Sequence, residues 1–178
     1  MSRRAGFSLL ELVLALSVLS ILIGVAVPRV SDSLARARDA RRLQDAKALA
    51  EAVEAYYVDH GRFPTVAEMR GGNQCGWATS TADGFAHVLV QEGYLDESPQ
   101  DPQNTNGGSC HGTATFNYKY YLYGAGSYGA PAEKGPYYVI GVETLELLPA
   151  SGEWITPGRD WSDDLGRFGF VIGGYANP

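Results

Sequence analysis

Cysteine, histidine and positive charge are all scarce in this chain, and each scarcity removes a class of function. The 178 residues include two cysteines, Cys75 and Cys110, and three histidines, His60, His87 and His111. The histidines show no metal-ligand spacing, and no nucleophile–base pairing suggests itself around them. Basic residues are concentrated at the front of the chain. Residues 1–47 hold eight basic and four acidic side chains, a net charge of +4, whereas residues 48–178 hold six basic and sixteen acidic, a net charge of −10. An acidic body is a poor match for the phosphate backbone of nucleic acid, so no nucleic-acid site is expected. The basic stretch lies beside the hydrophobic segment, where lipid headgroups or a partner subunit are its expected neighbours.

Long apolar runs are also missing, with one exception. Phe7 to Val27 is a stretch of 21 residues that carries one charge, Glu11, and three serines. As a helix it spans roughly 31 Å, matching a hydrocarbon core of about 30 Å. Arg3 and Arg4 precede it, so the positive-inside tendency keeps the N-terminus cytoplasmic. Two other readings fit a charged start followed by an apolar run. One is a secretory signal peptide using Gly24-Val25-Ala26 as its small-residue cleavage site, releasing a soluble domain. The other is a plain signal anchor that tethers an unrelated binding or enzymatic domain outside the cytoplasm. Against the signal peptide, the run is longer than the usual h-region and contains a carboxylate.

Glu11 is the residue that needs a reason. A carboxylate within an apolar span costs about 2.5–3.5 kcal/mol on insertion scales and marks a functional site by default. If the chain is cut after Gly6, the new α-amine of Phe7 lies four residues before Glu11, on the same helical face. The helix dipole and a nearby ammonium then offset part of the desolvation. In a stack of subunits, the amine of one chain meets Glu11 of its neighbour and sets the register.

The run Gly6-Phe7-Ser8-Leu9-Leu10-Glu11, after a short basic leader, resembles the class III signal of type IV pilins and type II secretion pseudopilins. The resemblance is tight over about 25 residues and looser to residue 64. It implies that a membrane prepilin peptidase cuts between Gly6 and Phe7, that the Phe7 amine is N-methylated, and that Glu11 serves assembly. It also implies a homo-oligomeric helical filament raised by pilus or secretion machinery in the bacterial inner membrane. Before assembly the subunit is a single-pass protein held in the lipid bilayer; afterwards it belongs to a periplasmic or extracellular filament. No enzymatic activity and no cofactor are implied, and Pro28 is similar to the family's helix-breaking proline. The exit sequence Tyr56-Tyr57-Val58-Asp59-His60-Gly61-Arg62-Phe63-Pro64 resembles that of major pseudopilins.

The resemblance, together with the residue pattern, divides the chain into a prepilin leader peptide (1–6), a transmembrane assembly helix (7–28), an amphipathic second half (29–61) and a globular α+β head (62–178). Leu43, Ala46, Ala50, Val53 and Tyr57 form a stripe that packs the helix on a small antiparallel sheet. Gly61 ends the helix and Pro64 bars its continuation, while Gly24 and Pro28 predict a kink or melted stretch. Residues 65–115 read as a loop with short helices: a capping box at Thr65 to Glu68, and a helix from Asp83 to Glu92 closed by Gly93. Phe116 to Tyr123 alternates like a half-buried strand, and Tyr137 to Val142 and Phe168 to Ile172 are further strands. Gly124, Gly126 and Gly129 fit a dinucleotide fingerprint, with Glu146 twenty residues past Gly126. Pro131 and Pro136 deny it a helix N-terminus, so the segment reads as a hairpin loop.

Two expectations concern the exported head. If the head is exported, Cys75 and Cys110 read as one disulfide, closing a loop of about 35 residues worth ~3–4 kcal/mol in the chain-entropy model, the alternative being two unrelated thiols. Asp160, Asp163 and Asp164 are weak calcium candidates by resemblance to the C-terminal loop of major pseudopilins. The family's glycine-and-aspartate pattern is missing there, so they read as solvated charge.

Overall fold

The computed structural model describes residues 8–81, 83–104, 116–147 and 168–177. One helix, α1, runs from Leu9 to His60 without interruption, 52 residues or roughly 78 Å at 1.5 Å per residue. Its end is the one the sequence dictates. Gly61 takes a left-handed conformation at φ 67°, and its N–H bonds to the Tyr57 carbonyl at 2.8 Å, closing the last turn as a C-terminal glycine does. Of the kink or melted stretch expected at Gly24 and Pro28, the melted stretch is absent, since helix runs through both residues. Pro28 removes a single backbone donor, the one that would reach the Gly24 carbonyl, and the turns on either side keep the helix continuous.

The head is built on a five-stranded antiparallel sheet in simple sequential order: β1 (Gly72–Gln74), β2 (Trp77–Thr79), β3 (Tyr118–Tyr123), β4 (Tyr137–Val142) and β5 (Phe170–Tyr175). The strands expected around residues 116–123 and 137–142 are present, and the third starts at Phe170 and runs on to Tyr175. The first hairpin corrects the reading of residues 65–115 as loop and helix alone. β1 and β2 are joined through Cys75 and Gly76, both at positive φ (56° and 87°), as a two-residue turn that follows sheet twist requires. Within the same stretch, Thr65 and Glu68 do form the reciprocal capping box, at the start of α2 (Val66–Met69). The helix expected from Asp83 to Glu92 shrinks to α3, His87–Gln91.

Helix and sheet share one core. Ala46, Leu49, Ala50, Val53 and Tyr56 of α1 pack against Tyr118, Tyr120, Tyr138, Ile140 and Val142. Three of the expected stripe positions, Ala46, Ala50 and Val53, lie in this core, and Leu49, Ala52 and Tyr56 widen it on one side, while Leu43 and Tyr57 are only half-buried. Each tyrosine on this face finds a partner for its hydroxyl. Tyr118 donates to Asp45 at 2.7 Å, Tyr120 to the Pro64 carbonyl at 2.6 Å and Tyr138 to Glu54 at 2.9 Å. Large rings thus fill the helix–sheet layer without stranding a polar atom. Burial pushes the Tyr120 hydroxyl well above its ordinary pKa, which keeps it neutral and donating.

The sheet is not half-buried, as the alternation in β3 suggests. Every residue of β4 is buried, because a second cluster of Tyr123, Tyr137, Val139, Phe168 and Val171, with Trp77 beside it, covers the far face. Gly141 sits under this layer. A Cβ built there would lie 2.3 Å from the Phe168 ring. Gly141→Ala is expected to destabilise the head by about 1–3 kcal/mol through overpacking, read as a lowered midpoint in urea unfolding. A midpoint equal to that of the unmodified protein would show that Phe168 moves aside freely. Between β3 and β4, residues 124–136 form two short 3₁₀ turns and no α-helix, so the glycine-rich segment is a hairpin loop.

Candidate functional site

Two parts of α1 with opposite character meet near residue 35. Among the described side chains from Leu9 to Leu34 the large apolar ones are exposed, from 51% at Leu19 to 80% at Leu9, and the first buried one is Ala35. This half is long and apolar enough to cross a membrane, and none of its most apolar window is buried. A core helix of a soluble head would have that face covered. Its polar atoms are handled internally: the Ser17 hydroxyl donates to the Val13 carbonyl at 2.6 Å, and Ser20 to Leu16 at 2.8 Å. Neither serine then presents an unsatisfied group to an apolar surrounding.

Glu11 lies exposed within this half, and among the described residues it has no hydrogen-bond or ion-pair partner. Gly6 and Phe7, the expected cleavage site and methylated residue, lie outside the described residues, as do Cys110 and the calcium candidates Asp160, Asp163 and Asp164. Among the described residues no cluster of potential metal ligands occurs, and no free cysteine is found.

Where α1 enters the head, a buried ionic knot fixes it. Arg42 is fully buried. Its Nε and Nη2 donate to the two oxygens of Asp101, at 2.7 and 3.0 Å. Its Nη1 donates to Asp39 and to Glu146, both at 2.8 Å. The guanidinium also lies 4.5 Å from the centre of the Phe116 ring. Asp39, one turn earlier and equally buried, accepts the backbone N–H groups of Glu146 and Leu147 at 2.9 and 2.8 Å. Arg38 forks onto Glu146 from the outer side. Three segments far apart in sequence, around residues 40, 101 and 146, are therefore clamped at one point. A planar guanidinium with five fixed donors suits this role; a lysine would not reach both carboxylates bidentately.

Sequence reasoning missed this knot and assigned all the basic residues of the stretch to lipid or a partner subunit. Arg38 and Arg42 are instead neutralised within the chain. A signal was present: Asp39, Arg42, Ala46, Leu49 and Val53 step by 3, 4, 3 and 4, so two charged residues extend the apolar stripe. Glu146, whose spacing from Gly126 suits a ribose contact, serves the knot.

The Arg38 hydrogen bond, then that of Arg42, hold the Glu146 carboxyl down at about 2 against an ordinary 4.5, with burial opposing them. A depressed folded-state pKa contributes stability that is present above the unfolded value and lost as pH falls through the folded one. The head should therefore lose stability progressively from about pH 4.5 to about pH 2. Glu146→Gln should flatten that part of the profile in urea titrations at stepped pH, and an unchanged slope would assign the acid loss to other carboxylates.

Known proteins resemble parts of this chain. A profile for the prokaryotic N-terminal methylation motif matches residues 1–27. Type II secretion system core protein G of Klebsiella pneumoniae is 30% identical over 102 residues, covering 57% of this chain and 71% of the relative. Its counterpart from Aeromonas hydrophila is 30% identical over 100 residues, with 56% and 68% covered. The type IV major pilin protein PilE1 of Neisseria gonorrhoeae is 37% identical over 59 residues, about a third of each chain. No solved structure gives a match.

Proposed function

Since this chain belongs to the family of type IV pilins and type II secretion pseudopilins, we propose that it is a structural filament subunit that polymerises through the exposed half of α1 once residues 1–6 are removed. The observation that carries this reading is the apolar rod itself. A helix of 26 residues, Leu9 to Leu34, holds its described large apolar side chains more than half exposed, and water does not tolerate such a surface. At about 25 cal/mol per Å², an apolar rod this size gains far more from burial than any surface ion pair supplies. Lipid covers it before assembly, and the same rods of neighbouring subunits cover it afterwards. The transfer is between two apolar surroundings, so packing and polar contacts such as that of Glu11 decide its direction.

The rest of the reading follows the same logic. A prepilin peptidase releases the Phe7 amine, which is then N-methylated and pairs with Glu11 of an adjoining copy. The N-terminus starts on the cytoplasmic side of the inner membrane, and the head lies outside. Residues 7–28 span the bilayer, residues 29–61 carry the head, and residues 62–178 form it. The match to core protein G runs over 102 residues and that to the pilin over 59, which supports the secretion-type subset of the family. No catalytic role and no cofactor enter this reading; Asp160, Asp163 and Asp164 are taken as solvated charge.

Intact mass and N-terminal sequencing of the natural product test it. The expected species begins at methylated Phe7, and its mass is lower by two hydrogens because Cys75 and Cys110 are bridged. Filaments whose subunits still carry residues 1–6 would sink the reading. A chain beginning at Val27 would instead identify a secreted soluble domain.

A further inference from the structure

We propose that the groove between α1 and residues 95–100 receives the basic stalk, Arg29 and Arg36, of a second copy of this chain. The proposal rests on the filament reading above and adds a specific seat for the contact between subunits.

The groove encloses about 610 Å³ and is lined by Arg41, Asp45, Leu95, Asp96, Glu97 and Ser98 among others. Three of its charged groups are carboxylates and one is a guanidinium. Asp45 already accepts the Tyr118 hydroxyl and faces Arg41 at 3.7 Å. Asp96 and Glu97 are exposed, and neither takes part in an ion pair among the described residues. The groove thus keeps an uncompensated negative charge within a concave surface, where field lines are focused.

The matching cations lie on the same chain but cannot reach it. Arg29 and Arg36 are exposed, stand two helical turns apart on one face, and have no ion pair among the described residues. They differ in this from Arg38 and Arg42, which the head neutralises. With about 100° per residue, the Arg29–Arg36 face is rotated roughly 140° around α1 from the face carrying Arg41, Asp45 and Ala48. Along the axis, Arg36 and Arg29 lie about 14 and 24 Å from Asp45 at 1.5 Å per residue. The helix is continuous between them, so no bend brings the two patches together within one molecule.

Two complementary patches on different flanks of one subunit make a heterologous contact, which propagates head to tail instead of closing a dimer. A neighbour advanced along the axis by the same 14–24 Å, an order-of-magnitude figure from the helical rise, places its arginines level with the groove. Exposed ion pairs add little adhesion but do select partner and register. The apolar rods would then supply cohesion, while the groove fixes how far each subunit is advanced on the next.

Charge exchange in the full-length chain, in cells that assemble it, tests the idea. Arg36→Glu alone and Asp96→Arg with Glu97→Arg alone are each expected to lower sheared filament several-fold. Combining them should restore at least half of the loss. Oxidation of filaments carrying Arg36→Cys and Glu97→Cys should give a ladder of linked subunits, which neither single cysteine gives. If the unmodified chain forms no filament, the subunit reading fails first. If it does, but the exchange gives neither rescue nor ladder, the groove is not the seat. A loss of membrane-inserted subunit with Arg36→Glu, together with no effect of Asp96→Arg and Glu97→Arg, would assign the stalk to lipid headgroups and overturn the proposal.

Discussion

Arg42→Met is expected to destabilise the head by about 3–5 kcal/mol, a large fraction of the stability of a domain this size. The reason lies in what the substitution leaves behind. Four hydrogen bonds from Arg42 reach Asp39, Asp101 and Glu146, and the side chains of Asp39 and Asp101 are fully buried. Methionine fills much of the same volume but carries no charge, so two carboxylates remain in the interior without a counter-ion. Asp39 would keep the N–H groups of Glu146 and Leu147, and Asp101 that of Gln103; neither set replaces a cation. Arg42→Lys should recover part of the loss, because an ammonium supplies charge without the fork. Arg38→Met, whose partner is shared and whose side chain is 31% exposed, should cost no more than about 1 kcal/mol. Chemical unfolding of the purified chain in detergent measures all three. An Arg42→Met variant within about 1 kcal/mol of the unmodified protein would mean that the knot is energetically idle.

Glu11→Ala is expected to lower assembled filament by at least tenfold while leaving the head and membrane insertion intact. Glu11 lies 24 residues before Ala35, the first buried position of α1, or about 36 Å along the helix. No contact with the head spans that distance, so the unfolding transition should not move. Insertion should become easier, since removing a carboxylate from an apolar span relieves about 2.5–3.5 kcal/mol. A variant that enters the membrane normally and fails to polymerise therefore locates the defect in the encounter between subunits. Glu11→Gln separates charge from hydrogen bonding. It should assemble no better than alanine if pairing with a neighbour's amine is the requirement. Filament in the sheared fraction, measured against subunit in the membrane fraction, gives the ratio. Filaments at the unmodified level would show that Glu11 has no part in assembly and that other contacts set the register.

These two residues also mark what was legible in the sequence. Glu11 is visible because its surroundings are local: one charge in a 21-residue apolar stretch is an anomaly whatever the rest of the chain does. The end of α1 at Gly61, the capping box at Thr65 and Glu68, and β4 from Tyr137 to Val142 are local too, and the structure has each of them. The hairpin of β1 and β2 was hidden for the opposite reason. Strands of three residues are too short for alternation to show, and a Cys-Gly turn is not among the usual hairpin signals. The unbroken helix at Pro28 shows a further limit, since proline reports a lost hydrogen bond and not whether neighbouring turns can bear it.

By itself the sequence determined that this chain has an apolar helix longer than its head can cover, with a carboxylate inside it. Periodicity and composition settle that much, because they depend only on residues adjacent along the chain. Which arginines remain available to a partner was decided by tertiary structure alone. Arg36, Arg38 and Arg42 lie within seven positions of one another and look alike in sequence. Yet Arg42 is sealed against Asp101 from 59 residues away, Arg38 against Glu146 from 108, and Arg36 remains exposed. Charge neutralisation acts through space, and only the fold brings those carboxylates to the helix.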